Sequence, residues 1–600
     1  MKETIIQALR RETALEKEIN MLKEKIKNIK SRALSKEEIN ILEKQGNISS
    51  DWSKIRVAED FNPKCIFYSF FIGDCYISKI EKQDIYSYPS GIYHSTIKES
   101  IILDTCSINR CAMLDNFIID KNALLIEVTG SNKNQFTPGI GPKISCGIET
   151  GGREINLSVF ITPEIAEVFT SRPLDKKTIE EEKKRIEEYR SLAGMTKTYI
   201  GKNCILQNAK DLEECWIGDN SKITSSIIRK STIISSLDSP VNISHNSYIE
   251  NSIIQYGAEI KRGAIVRSSL IMETSGAEDH GKIDSCIIFP NTHIAKGEVT
   301  ASLIGPFVGM HHQSLLIAAY WPEGKGNVAY GANVGSNHTS RQPDQEIWPG
   351  EGMFFGLGCV VKFPANFRNA PYSTIASGIT TLPQKMEFPF SLIVQPLSPI
   401  EDVPPAFNQI IPAWALTSNL YGIFRNQEKF RTRNRAKYYS PVYEIFRPKI
   451  IKLMHTALKR LQNPPEISNI YKSGDIRGLG KNVLLEADRL RAIDAYRFFI
   501  NYGLLRIILG IVKTKETESW KKEIADITEE YDLTSQPRPI LIQKYMEMLP
   551  IIRESITKSR KKDFIRGRRV IDDYDLTHQE EDAFFKAIEK RFKEEEEALL

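Results

Sequence analysis

Between Gly91 and Ile119 the aliphatic residues Ile92, Ile97, Ile102, Ile108, Met113 and Ile118 recur every five or six positions, with polar residues between them. The beat returns at Ile200, runs through Ile249, Ile254, Ile260, Ile265 and Leu270, and continues at Ile283, Ile288, Ile294, Val299 and Ile304. A helix repeats its buried face about every 3.6 residues and a strand about every two, so neither explains a period near six. A solenoid does, if each short strand sends one aliphatic residue inward and three such hexads close a triangular coil. Ser, Asn and Gly between the aliphatics suit corners that need left-handed backbone. With coils about 4.8 Å apart, residues 197–304 make about six coils.

The flanking segments follow the helical period. Residues 1–45 contain neither Gly nor Pro, and Ile5, Leu9, Leu15, Ile19, Leu22 and Ile26 recur at helical intervals among charges. SKEE at Ser35–Glu38 has the spacing of a capping box, which predicts a second helix there. Thr162 and Pro163 open a Glu- and Lys-rich run that predicts a helical insertion projecting from the rod. Beyond Ile400 the hexads stop, and segments such as EADRLRAIDAYRFFINYGLLRIILGIV have the length and pattern of helices. The expected organisation is a helical segment over 1–50, a first β-helix part over 51–160, the insertion over 161–196, the main β-helix over 197–400 with a candidate site at 305–390, and a helical domain over 401–600.

Within 305–390 weak hexads persist at Val328, Val334, Phe354 and Val360, among many glycines and aromatics. Five of the nine histidines, His280, His293, His311, His312 and His338, fall within one tenth of the chain. If Tyr320–Asn327 is an outward loop of eight residues, 18 of the 26 positions between His312 and His338 remain in the solenoid, which is one coil. His338 then stands one rung from His312. A neutral imidazole there can act as a base, with His311 or His312 assisting, Asp344 or Glu346 orienting the ring, and glycine amides as oxyanion donors. Lys325, Asn333, Asn337, Arg341 and Lys362 are the candidate substrate-binding residues. The alternative is that Asn333, Asn337 and His338 stack as a polar ladder along the axis. No spacing matches a metal signature, so no metal is expected.

The charge balance, 81 basic against 76 acidic residues for a net +5, argues against nucleic acid as the main partner. Local basic stretches carry Arg425, Arg431, Arg433 and Arg435, and Arg566, Arg568 and Arg569, which either grip phosphates or line solvated helix faces. Nine cysteines without a CxxC pair fit a reducing compartment, and no apolar run approaches a membrane span or a signal sequence. A cytoplasmic protein without membrane contact is expected.

The hexads resemble those of left-handed parallel β-helix proteins, among them the hexapeptide-repeat acyltransferases, and the resemblance implies a mainly β fold of that hand. The strings GNISSDW, ETGGRE, GPFVGMHHQSLLIAAYWPEGKGNVAYGANVGSNH, PDQEIWPGEGMFFGLG and FRNQEKFRTRNRAK are similar to an uncharacterised bacterial family of long β-helix proteins, a domain of unknown function. Some of its members carry names borrowed from sugar-nucleotide pyrophosphorylases. The first glycine here is Gly46 and the first segment is helical, so a nucleotidyl-transfer domain is not expected. What the resemblance implies is acyl transfer to a small sugar-nucleotide or phosphosugar acceptor, with acyl-coenzyme A as co-substrate, no tightly bound cofactor, and a homo-oligomer. The rival expectation is a non-catalytic sugar-nucleotide-binding scaffold or sensor that presents its helices to a protein partner.

Overall fold

The computed structural model describes residues 2–171, 176–336 and 346–599. They form a parallel β-solenoid with helices at the N-terminus, in an insertion and in the C-terminal region. The chain divides into two compact units, Met1–Pro322 with Ala436–Tyr439, and Glu323–Arg435 with Ser440–Leu600.

In the first unit the inward residues are Ile243, Ile249, Ile254, Ile260, Val266 and Ile271, all fully buried, at steps of six, five, six, six and five. The coil is therefore 17 residues, not three equal hexads, because one side turns with a residue fewer. That side is a 13-stranded sheet, parallel except for the antiparallel edge strand Arg32–Ala33. Corners use left-handed backbone at Asn122, Asn203 and Asn220, whose amides hydrogen-bond in a column at 3.2 and 3.3 Å. His94, His245 and His280 hold the same conformation at other corners. Buried serines stitch coil to coil: the Ser231, Ser252 and Ser269 hydroxyls accept the backbone N–H of Ser252, Ser269 and Cys286 at 3.0–3.2 Å. All nine cysteines are buried free thiols.

Adjacent apolar pairs correct the sequence beat by one position. Leu114, Ile119, Val266 and Ile271 point inward where Met113, Ile118, Ile265 and Leu270 were expected. Ile265 is 37% exposed, yet on the short side from Trp216 onward both members of each pair are covered: Trp216, Thr232, Ile253, Leu270, Ile287, Leu303 and Tyr320 face outward and are 3% exposed or less. The cover is the insertion. It leaves the solenoid after Thr129–Ser131 with an antiparallel pair, Ile140–Ser145 and Glu154–Ser158, before the helices Pro163–Ser171 and Lys176–Ala193. Gly139 N–H donates to Thr232 Oγ1 at 2.7 Å, Gly147 N–H to the Ala301 carbonyl at 2.7 Å, and Tyr320 Oη to the Glu167 carbonyl at 3.4 Å. The insertion expected to project from the rod thus lies along it, because an exposed row of aliphatics has nowhere else to find cover.

The N-terminal helix Ala14–Lys27 docks on the insertion through Arg185, which holds Glu16 at 2.6 Å, and through Lys23, whose ammonium reaches the carbonyls of Leu192 and Gly194. The helix Lys36–Lys44 begins with the expected capping box of Ser35 and Glu38. Ala436–Tyr439 straps onto the same unit: both oxygens of the buried Glu273 accept backbone N–H groups, from Lys437 and from Tyr438.

The second unit holds three short parallel ladders. One is Asn327–Val328, Phe354–Phe355, Thr374–Ile375 and Leu392–Val394, another Asn333–Ser336, Val360–Lys362 and Thr380–Thr381, the third Ile347–Trp348, Ala365–Asn366 and Gln384–Lys385. Asn408–Ile411 pairs antiparallel with the last coil. The helices Leu420–Arg433, Pro448–Gln462, Glu486–Ile508, Arg538–Val570 and Ala583–Glu597 follow, around an aromatic core in which Phe446 meets Phe390, Phe499 and Tyr502 at 5.4–6.2 Å. Among the described residues no helix is long and apolar enough to cross a membrane.

Two outcomes test this fold. Leu270→Asp, outward but covered, should destabilise the protein by roughly 2–4 kcal/mol, whereas Ile265→Asp, outward and open, should stay within about 1 kcal/mol in urea denaturation. Equal effects would mean the insertion does not cover the short side.

Glu18 on the N-terminal helix is pushed up to about 7, first by burial and then by Asp219, against the opposing pull of Lys202. A carboxyl raised on folding contributes stability below its unfolded value that is lost as pH rises through about 7. Proteolytic release of the N-terminal helix should therefore increase from pH 5 to pH 8 in the wild type, and Glu18→Gln should flatten the profile. An unchanged profile in Glu18→Gln removes Glu18 as its source.

Candidate functional site

The residues singled out in the sequence fall in both units. His311 and His312 belong to the first unit, in an exposed bend after the strand Gly309–Met310. Lys325, Asn333, Glu346 and Lys362 belong to the second unit. Asn337, His338, Arg341 and Asp344 lie outside the described residues. The eight-residue outward loop expected at Tyr320–Asn327 is not formed, because Tyr320–Trp321 and Asn327–Val328 are both strands. The count that set His338 one rung from His312 therefore loses its premise.

Lys325 is buried, and its ammonium donates to Glu351 at 2.9 Å and to the Val442 carbonyl. Glu351 also accepts from Tyr372 Oη at 2.9 Å and from Arg447. Burial would raise the Glu351 carboxyl, but Arg447 and Lys325 together outweigh it and hold it well below the usual range. Burial lowers Lys325 against the pull of Glu351. The ammonium expected to hold a substrate anion thus faces protein, as the centre of a network that ties coils to the segment before the helix Pro448–Gln462.

Glu346 accepts from the indole N–H of Trp348 at 2.6 Å. Lys362 and Asn333 lie on adjacent strands, Lys362 half-exposed, and the buried Asn333 Oδ1 has no partner among the described residues. Among the described residues no group of three or more His, Cys, Asp and Glu side chains is placed to hold a metal ion.

A more concentrated constellation stands in the helical part of the second unit. A cleft of about 850 Å³ is lined by Arg431, the segment Ser440–Glu444, Arg506, the turn 509–516, Trp520, Arg538 and the last helix from Arg591. Gly510, at φ +73°, ends the helix Glu486–Ile508 and lets the chain reverse along the cleft wall. Arg506 is buried: Nη1 donates to Glu595 at 2.6 Å and to Tyr502 and Tyr545 at 3.0 and 3.3 Å, and Nη2 to Glu444 at 3.4 Å. Burial alone would lower its guanidinium, but Tyr502, Glu444 and Glu595 hold the charge firmly. Arg591 donates to Gln427 at 3.2 Å and to Glu428, with Phe424 5.5 Å from its guanidinium. The Nε atoms of Arg506 and Arg591 are both buried without a hydrogen-bond partner among the described residues.

Arg431 differs from these two. It contacts Glu428 at only 3.7 Å and is 37% exposed. Its guanidinium is lowered by burial and by its like-charged neighbours Arg591 and Arg506, against Glu428 and Glu444. Of the basic residues noted in the sequence, Arg431 alone lines this cleft, while Arg566 and Arg568 sit on the long helix Arg538–Val570 beside Asp563 and Asp575. In the sequence Arg506 lies within EADRLRAIDAYRFFINYGLLRIILGIV, whose pattern predicts a helix and marks no site.

The family described as Domain of unknown function (DUF4954) matches residues 31–463. An uncharacterized protein of Treponema pallidum (strain Nichols) is 27% identical over 457 residues, which is 72% of this chain and 62% of that relative. The chain thus spans less than two thirds of the relative's length.

Removing one partner of the Lys325 network should expose its role. Lys325→Met is expected to cost roughly 3 kcal/mol in urea denaturation, whereas Lys362→Met stays within about 0.5 kcal/mol. A Lys325→Met protein as stable as the wild type would return Lys325 to the candidate ligand contacts.

Proposed function

The chain belongs to DUF4954, a family of unknown function, and we propose that it binds a small phosphorylated molecule in the arginine-lined cleft of its second unit. The observation that carries this reading is Arg431, a guanidinium on the cleft wall beside two other arginines and 3.7 Å from the Glu428 carboxylate. Six basic side chains line the cleft (Arg431, Arg506, Lys513, Lys515, Arg538 and Arg591) against four glutamates (Glu444, Glu516, Glu594 and Glu595). A phosphate group supplies acceptors for guanidinium donors in the planar, bidentate geometry that arginine favours. It also compensates the like-charge repulsion around Arg431.

This reading places the protein nearer a binding scaffold or sensor than an acyltransferase. Acyl transfer from acyl-coenzyme A to a sugar-nucleotide or phosphosugar acceptor, with His338 as base, is a separate proposal for the glycine-rich coils and is supported by the hexad resemblance. It predicts turnover that His338→Ala abolishes while ligand affinity in the cleft is kept.

Saturating tripolyphosphate should raise the Tm of the wild-type protein, and added salt should weaken the rise. Arg431→Ala should lower the affinity about tenfold or more without lowering the Tm of the free protein, since this side chain is partly exposed and stands among like charges. Unchanged affinity in Arg431→Ala would remove the cleft as the site.

A further inference from the structure

The basic stretch that carries Arg431 is only partly used by the cleft. Arg425, Lys429 and Arg433 recur at every fourth residue of the helix Leu420–Arg433. Residues at that spacing share one helix face about 6 Å apart, so the three form a row about 12 Å long. Arg431 lies two positions from both Lys429 and Arg433, roughly 200° around the helix, and therefore on the side away from the row. The one carboxylate of this helix, Glu428, is buried and held by Arg591.

The row is a set of like charges without acids. Among the described residues none of the three forms an ion pair, and the neighbour of Arg425 is the Phe584 ring, 5.6 Å from its guanidinium. Asp582, which caps the helix carrying Phe584, is already held by Tyr421, Arg560 and the Phe585 N–H. Burial lowers the Lys429 ammonium first, and then Arg433 and Arg425 lower it further, so the three charges act on one another. Arg425 and Lys429 are half-buried and Arg433 is exposed. Like charges four residues apart on a helix oppose each other, and a facing row of anions relieves them.

The surroundings narrow the kind of anion. Single-stranded nucleic acid is gripped by cations together with aromatic faces on which its bases stack, whereas Phe584 is half-buried and already faces Arg425. The net charge of +5 also argues against a nucleic-acid partner. Carboxylates on successive turns of a helix repeat at the same spacing of about 6 Å, so a helix laid along this one brings several onto the row together. We propose that Arg425, Lys429 and Arg433 dock an acidic helix of a protein partner, with Glu or Asp at every fourth position. The proposal is independent of the phosphate reading, whose arginine lies on the other side of the helix.

Fluorescence anisotropy of the full chain tests it, with a labelled alanine-based helical peptide carrying Glu at every fourth position, its Gln counterpart, and single-stranded oligothymidylate as probes. The Glu peptide should bind at low salt and the Gln peptide about tenfold more weakly or worse. Replacing Arg425, Lys429 and Arg433 together by Ala should weaken the Glu peptide about tenfold or more while tripolyphosphate affinity stays within about twofold. Should that variant fail to fold, Arg433→Glu, at an exposed position, should by itself weaken the peptide severalfold. Peptide affinity unchanged in these variants, or equal for the Glu and Gln peptides, would overturn the row as a docking site. Oligothymidylate binding more tightly than the Glu peptide, and losing that affinity in the variants, would overturn the protein partner in favour of nucleic acid. No binding by any of the three probes would overturn the proposal outright.

Discussion

One constraint governs the first unit: nearly every coil places one apolar side chain inward from each side while passing its backbone hydrogen bonds to the next coil. A side chain on a given rung, such as Val266, packs between Ile249 below and Ile283 above, so the interior is a column of near-identical layers. The corners absorb what the layers forbid. Turning within one or two residues needs left-handed backbone, which Asn203, Asn220 and His280 adopt, and buried serines such as Ser252 and Ser269 satisfy the amides that the turn leaves over. Free cysteines fit the same logic as small apolar fillers: Cys215 and Cys286 are fully buried, with thiols pushed up to about 12 by burial, which keeps them protonated and inert.

The same constraint explains why the insertion lies where it does. On the short side most strands contribute two apolar residues, and only one can enter the core. The other row, from Trp216 to Tyr320, would be an apolar stripe along the solenoid without the cover of Ile140–Ser145, Glu154–Ser158 and their helices. Here the sequence was legible in period and blind in phase. A beat of five or six residues identifies a solenoid, but in Ile265–Val266 or Leu270–Ile271 nothing local distinguishes the inward member, and the hexad count conceals the five-residue step. The double apolar strands were the visible sign of a covered side, and the charge-rich helix Lys176–Ala193 drew attention away from it.

The chemistry was less legible than the fold. Crowded histidines read as a cluster because corners and catalytic sites favour the same small set of polar residues; His280 occupies a corner, and His311 and His312 stand in an exposed bend. Lys325 read as a ligand contact because a lone lysine among glycines carries no mark of its partners Glu351 and Val442, which lie 26 and 117 positions away. Arg506 was hidden for the complementary reason. It sits in a helix whose apolar residues dominate the pattern, and its partners Glu444 and Glu595 come from distant segments.

Buried ion pairs are weak evidence of stability, since apolar residues of similar volume often replace them without loss. The Lys325 network is closed: Glu351 receives Lys325, Arg447 and Tyr372, and its charge is matched on every side. The arginine cleft is not closed in this way. Arg506 and Arg591 are matched by Glu444, Glu595 and Glu428 yet keep Nε atoms without a partner among the described residues, and Arg431 stands beside them, 3.7 Å from the Glu428 carboxylate that Arg591 also holds. Stability alone would favour leucine or methionine on such a wall. An arrangement that is costly in the empty protein and relieved by an anion is what a binding site requires, because the ligand then contributes a differential interaction that the protein cannot make for itself.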